Sequence, residues 1–303
     1  MTTPEIKHLG PFLSLGAGVQ STALLLLSAQ GVLPKLVAAI FADTGNEPQA
    51  VYDHLDRIEE EVAKPAGIPI LRVQWGDIRN DAVTGHRWLK IPVFVVGENG
   101  KKGQGTRQCT KDYKIDPIKR KLKELMGAKI SASGAVLQPP KGVLAEQWIG
   151  ISLDEVHRAK DADERWLRNT FPLLDMRWTR DDCLNYLEEQ GWASTPKSAC
   201  VICPFHSNRM WREIKEQAPE EFADAVEFDR QLRSGEMRHG FGERAFLHTD
   251  RVPLDQADLR SLAEKAAARG EYGLWEDEPE QGGCSPFACP SELPEQTNDE
   301  GAA

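Results

Sequence analysis

Long apolar runs are missing from this 303-residue sequence. Nothing approaches the ~18 consecutive apolar residues of a membrane-spanning helix. The apolar stretch nearest the start, residues 22–27, is short and lacks a basic flank and a small-residue cleavage site. The sequence therefore predicts no membrane partner, no secretory signal and a cytoplasmic setting. Cysteine is scarce, at six residues, which excludes a disulfide scaffold. In a reducing compartment such cysteines point to metal binding or redox chemistry. Positive charge is outnumbered, with 37 Lys and Arg against 47 Asp and Glu and a formal net charge of −10. That balance excludes a general nucleic-acid coat. Two phosphate-binding signatures are also absent: there is no Gly-Lys-Ser/Thr, and no third glycine where a dinucleotide loop needs one.

What is there is globular: 40% hydrophobic and 28% charged residues. At roughly 100–200 residues per domain, the length allows one large domain or two small ones. The charge is unevenly spread. Residues 101–123 hold nine Lys or Arg and two Asp, a net of +7. Residues 271–303 hold nine Asp or Glu and no Lys or Arg. The first half alternates strand-like runs (11–15, 36–42, 68–75) with helix-like ones (21–30, 50–63), which predicts an α/β fold, a parallel sheet with helices on both faces. Residues 88–96 followed by Gly97-Glu98-Asn99-Gly100 predict a hairpin arm. Further helices are expected over 115–126, 179–190 (Thr179 as N-cap, Gly191 as stop), 208–216, 219–234 and 254–269, the last with Asp255 and Asp258 in its first turns, and a strand over 147–152. The domain reading is 1–205 for an α/β domain with a hairpin insertion near 86–106, 206–275 for a helical C-terminal region, and 276–303 for an acidic, disordered tail.

The segment Ser14-Leu15-Gly16-Ala17-Gly18-Val19-Gln20-Ser21 leaves a strand and enters a helix. Glycines admit a ligand close to the backbone, and a helix N-terminus offers unpaired N–H groups and a positive dipole end. The demand this meets is an anion such as phosphate, with Ser14 and Ser21 adding hydroxyls; a tight packing turn meets the same pattern equally well. Asp43-Thr44-Gly45 closes the second strand. Ligands of open α/β sheets bind beyond the carboxyl ends of strands, so both loops point to one crevice. A carboxylate there can accept from ribose or adenine groups, hold Mg²⁺, or cap a turn. Ser152, Asp154, Glu155 and Arg158 follow a later strand, a set that suits a polar head group or a capped helix start.

These segments, together with Phe171-Pro172-Leu173-Leu174-Asp175-Met176-Arg177-Trp178-Thr179-Arg180-Asp181-Asp182, occur in an order that resembles the phosphoadenosine phosphosulfate (PAPS) reductase family of the PP-loop ATP-pyrophosphatase superfamily. The resemblance runs from about Pro11 to Phe205. It implies an adenine nucleotide α-hydrolase-like (HUP) fold and a PP-loop at 14–21 for the phosphates of ATP or of a PAPS-like sulfonucleotide. It places Asp43, Thr44 and Gly45 near that nucleotide and Arg158 near the anionic group. Gln20 stands where the superfamily often has Asp. The Glu-Cys-Gly-Leu-His element of PAPS reductases and the Cys-Cys pair of adenylylsulfate reductases are absent.

Cys200-Val201-Ile202-Cys203-Pro204 spaces two thiolates for one metal or cluster iron. Cys109 is a third candidate, its thiolate favoured by Arg107, Lys111 and Lys114. Three cysteines would hold three irons of a [4Fe–4S] cluster and leave the fourth open, an arrangement similar to cluster-dependent tRNA thiolation enzymes and the DNA phosphorothioation protein. Zinc with His206 as fourth ligand, or unmetallated thiols, are the other readings. Cys183 reads as a buried helix residue, and Cys284 and Cys289 as a mobile dithiol or incidental thiols. The basic stretch around Cys109 reads as a solvated face or as a phosphate contact.

Three functions follow. The first is an adenine-nucleotide-dependent sulfur-transfer enzyme, with Cys109 and Arg158 catalytic and with tRNA, DNA or a small molecule as acceptor beside a sulfur-donor protein. The second is a true PAPS or adenylylsulfate reductase. The third is a nucleotide- or nucleic-acid-binding module with structural zinc.

Overall fold

Odd and even residues of the first two strands face different layers, and this alternation builds the molecule. The computed structural model describes residues 6–85, 91–97, 100–234 and 244–270. Five parallel strands, β1 (Lys7–Leu15), β2 (Ala38–Asp43), β3 (Ile70–Gln74), β6 (Val143–Trp148) and β7 (Leu167–Thr170), pair in the order β3-β2-β1-β6-β7. Leu13, Leu15, Ala39 and Phe41 pack on one face against helices α1 (Val19–Ala29), α2 (Gln49–Ile58) and α6 (Arg180–Glu189). Phe12, Ala38, Ile40 and Ala42 pack on the other against α4 (Asp116–Leu125) through Ile118 and Leu122. Strands covered on both faces read as near-continuous apolar runs, which is how 11–15 and 36–42 read. The chain is thus an α/β fold with a parallel sheet and helices on both sides.

A second sheet is antiparallel: β5 (Lys102–Gln104), β4 (Phe94–Val96) and β8 (Ala245–Phe246), in the order β5-β4-β8. The expected hairpin is therefore present, while its Asn99 turn and its first residues lie outside the described residues. This sheet shares a core with α7 (Asn208–Gln217) and α8 (Pro219–Ser234), through Val93, Trp211, Ala225, Phe228 and Ala245. Val201 and Ile202 join the same cluster, so the C-terminal elements brace the cysteine loop. Asp229, buried in α8, accepts hydrogen bonds from the backbone N–H groups of Leu247 (2.7 Å) and Leu254 (2.9 Å) and from Arg233.

Other helices are short: α3 (Ile78–Thr84), α5 (Pro172–Asp175) and α9 (Leu262–Ala268). The helix expected over 254–269 is two pieces, a 3₁₀ turn at Leu254–Gln256 and α9. Asp258 diverts the chain by accepting from the backbone and side chain of Arg260, and Ser261 then starts α9 with a capping box. The strand expected over 147–152 lies earlier, at Val143–Trp148, because its ladder with β1 starts at Lys7. The expected Thr179 cap of α6 is present, with Asp182 closing the box. Among the described residues no helix is long and apolar enough to cross a membrane. The tail from 276, with Cys284 and Cys289, lies outside the described residues.

Candidate functional site

Strand order places a switch point beside β1: β2 leaves it to one side and β6 lies on the other. In such sheets the crevice opens beyond the carboxyl ends of these strands. The loops there are 16–18 after β1, 43–47 after β2 and 149–158 after β6.

The first loop turns through Ala17, whose φ is +55°, a conformation rarely taken by non-glycine residues. Ser21 fastens the turn: its Oγ accepts from the Gly16 N–H and donates to the Gly18 carbonyl, each at 3.2 Å. Gly18 is the N-cap of α1, and no side chain caps that end. Two further hydroxyls bear on this region, Ser14 by its place in the chain and Ser198 by contact with both glycines. Ser14, at the end of β1, is 3% exposed, and Ser198, from the segment before the cysteine pair, is 7% exposed. Neither Oγ has a hydrogen-bond partner among the described residues. A methyl on Gly16 would stand 3.6 Å from Ser198 Oγ, and one on Gly18 would stand 3.3 Å from Ser198 Cβ. Bare glycines, an open helix end and the partnerless Ser198 hydroxyl therefore converge, with the buried Ser14 hydroxyl two residues upstream.

The residues expected to complete an anion site from the β6 side are engaged with one another. Gln20 donates to Ser152 Oγ (3.4 Å) and Glu155 Oε2 (3.2 Å) and accepts from Arg180 (3.2 Å). Arg158 is buried in an ion pair with Glu155. Asp154 is exposed and accepts from the Arg180 backbone N–H at 2.9 Å. This network ties the first turn of α1 to the loop after β6. Gly150 lets the two meet, since a methyl there would lie 3.1 Å from Ser21 N and from Gln20 Cβ.

On the β2 side, Asp43 accepts from the Gly45 N–H (2.8 Å) and the Tyr52 hydroxyl (2.7 Å). That is the turn-forming role of an Asx residue. Burial and the neighbouring Asp43 push the Tyr52 phenol well above its ordinary range. Gly45, at φ +74°, passes against Asp77, whose Cα would lie 3.0 Å from a methyl there. Thr44 is buried and donates to Glu47 Oε1 at 3.0 Å. Its Oγ1 also lies 3.2 Å from Cys200 Sγ, which lies 3.5 Å from Glu47 Oε1. Lys114 meets Glu47 Oε1 at 2.9 Å, with both side chains buried. Glu47 Oε2 is buried with no partner among the described residues. Sequence reasoning did not single out Ser198 or Glu47, and it gave Lys114 only a role in favouring the Cys109 thiolate. No local pattern signals these three, which are joined only by the fold.

The cysteine loop is moored on the β2 loop: Val201 N–H donates to the Asn46 carbonyl (2.8 Å) and Ile202 N–H to Asn46 Oδ1 (3.2 Å). The Cys109 segment reaches the same place. Arg107 stacks over Phe205 at 4.9 Å, and Cys109 packs against the cluster that holds Val201 and Ile202. His206 Nε2 lies 3.0 Å from the Cys200 carbonyl, and burial pushes the imidazole down to about 4. Among the described residues no group of three or more His, Cys, Asp or Glu is arranged to hold a metal. Cys200 is hydrogen-bonded to Thr44 and Glu47, and the Nε2 of His206 is taken by a carbonyl. Cys183, in α6, is fully buried, and burial pushes its thiol up to about 12.

No protein-family model and no curated protein matches the chain.

Proposed function

We propose that this chain binds an adenine nucleotide at the Gly16–Gly18 turn and is an adenine-nucleotide-dependent sulfur-transfer or sulfonucleotide-processing enzyme of the PAPS reductase-like kind, on an HUP-type fold. One observation carries the nucleotide half. The Ser198 hydroxyl is buried without a partner against a glycine turn at an uncapped helix N-terminus, and the Ser14 hydroxyl, two residues upstream in β1, is likewise buried without a partner. An unpaired buried hydroxyl costs roughly 1–3 kcal/mol, and a phosphate bound at the turn would give Ser198 its missing partner. The α1 dipole and its N–H groups would share the charge.

The chemical half rests on the resemblance and on what lies beside the crevice. An acceptor oxygen attacks the α-phosphorus, pyrophosphate leaves, and a sulfur nucleophile then displaces AMP. Cys200 stands next to Glu47, a carboxylate able to take a thiol proton, and Lys114 balances that carboxylate's charge. Asp43 and Thr44 shape the turn at the nucleotide's side.

Isothermal titration of the purified chain with a non-hydrolysable ATP analogue tests the reading. Saturable heat is expected, and its absence in the wild type overturns the proposal. Pyrophosphate release from ATP in the presence of candidate acceptors, with metal analysis of anaerobically purified protein, tests the enzyme class.

A further inference from the structure

A cleft of about 450 Å³ lies on the α4 side of the sheet. The face of α4 lining it is Asp116, Lys119, Arg120 and Lys123, the i, i+3, i+4, i+7 spacing of one helical stripe. Trp75, at the end of β3, and Trp166, just before β7, are its aromatic walls. Each ring already takes a cation from the stripe. Arg120 lies 5.9 Å from the Trp75 centroid and Lys123 lies 5.5 Å from that of Trp166. Trp75 is 45% exposed, a large apolar area for a soluble surface. Pro117, Ala135 and Val136 add apolar lining.

Charge in the cleft is arranged, not uniform. Two of its acids are neutralised, Asp116 by Lys111 at 2.6 Å and Glu164 by Lys119 at 2.7 Å. Arg120 and Lys123 sit over the rings. The whole segment 101–123 carries +7 in a chain of −10, so this is the one strongly basic run the sequence supplies. Glu164 uses Oε1 on Lys119, while its Oε2 is buried with no partner among the described residues. An acceptor of that kind is suited to an amino group.

Aromatic faces, flanking cations and a buried acceptor describe one ligand chemistry: a flat, amino-bearing base joined to phosphate. Stacked aromatics beside a cationic track are how single strands are held without a groove to read. We propose that this cleft holds one nucleotide of a single-stranded nucleic acid, with an adenine or cytosine base stacked on the exposed Trp75, its amino group toward Glu164, and phosphates beside Arg120 and Lys123. The cleft shares no lining residue with the glycine turn, so the proposal does not depend on the nucleotide reading. The two sites are nevertheless neighbours. Asp112, Tyr113 and Lys114 are consecutive in a π-helical turn, Lys111–Ile115, where the first two line the cleft and Lys114 reaches Glu47 beside Cys200.

Fluorescence anisotropy of a labelled oligoadenylate with the full chain tests this, read beside intrinsic tryptophan quenching. Wild type is expected to bind and to quench. Trp75→Ala should weaken binding roughly tenfold or more, the loss of one stacked base. Lys123→Gln should lower the salt slope by about one and weaken all sequences alike. Arg57→Gln, on the far face of the sheet, should leave binding unchanged. Oligouridylate should bind several-fold less well than oligoadenylate. The proposal is overturned by an oligomer that fails to bind, or by one that binds both variants as it binds wild type. Equal binding of oligouridylate, or of a duplex, overturns it as well. Displacement of the oligomer by AMP at matched nucleotide concentration would make the cleft a free-nucleotide site and also overturn it.

Discussion

Ser198 holds a buried hydroxyl with no partner beside the glycine turn, and it belongs to the segment that leads into Cys200. A hydrogen bond to a charged group contributes roughly 1.5–3 kcal/mol, so Ser198→Ala should weaken binding of an ATP analogue about tenfold or more by calorimetry. Stability of the unliganded chain should hold or rise slightly, since a buried hydroxyl without a partner is removed. Unchanged affinity would take Ser198 out of the site. At this scale the sequence was a partial guide. Gly16, Gly18 and Ser21 are legible because the turn, its helix and its fastening bond are local in the chain. Gln20, Ser152, Glu155 and Arg158 lie beside the first turn of α1 but satisfy one another, a pairing that no single-residue preference signals. Asp43 took its turn-forming role. Glu47 and Lys114 pair although they lie far apart in sequence, so only the fold brings them to Cys200.

Elements were more legible than contacts, for a physical reason. β2, α1 and the second half of β1, Phe12–Leu15, are buried nearly throughout, so their apolar runs are continuous and unmistakable. β7 is Leu-Arg-Asn-Thr at a sheet edge with one buried residue, and it carries no run to read. The helix over 254–269 failed because Asp258 and Ser261 each offer the backbone a competing bond. How two elements meet can be tested at Gly150, where the loop after β6 touches the first turn of α1. Gly150→Ala places a methyl 3.1 Å from the Ser21 backbone nitrogen, which cannot swing aside as a side chain would. The substitution should cost about 1–3 kcal/mol by urea unfolding and should weaken nucleotide binding as the turn shifts; an unchanged midpoint would show that the loop yields freely. Asp229 joins elements in the other core. Asp229→Ala strips the acceptor from two buried backbone N–H groups and from Arg233, and a loss of roughly 3–5 kcal/mol is expected. A loss below ~1 kcal/mol would mean that water replaces the carboxylate.

The whole molecule should be sensitive to mild acid, because two histidines are folded in as neutral rings in different cores. His54, in α2, lies 3.0 Å from the Thr22 hydroxyl of α1, and burial, aided by Arg57, pushes it down to about 4. His206, in the cysteine loop, is pushed down to about 4 by burial. An unfolded histidine titrates near 6.5. Between 6.5 and 4 the unfolded chain therefore binds protons that the folded chain refuses, so the slope of stability on pH is positive there. Above 6.5 both states are neutral at these sites and nothing is lost. On acidification each ring withdraws up to roughly 3 kcal/mol by pH 4. Burial also lowers His248, which adds in the same direction. Urea midpoints at pH 7, 6 and 5 should fall progressively, and His54→Gln, which keeps a polar partner for Thr22 but cannot titrate, should flatten part of that fall. Midpoints that are level from pH 7 to 5 would mean that the rings are hydrated in the native state. A fall that His54→Gln leaves untouched would assign the whole effect to His206 and His248, in the core that braces the cysteine loop.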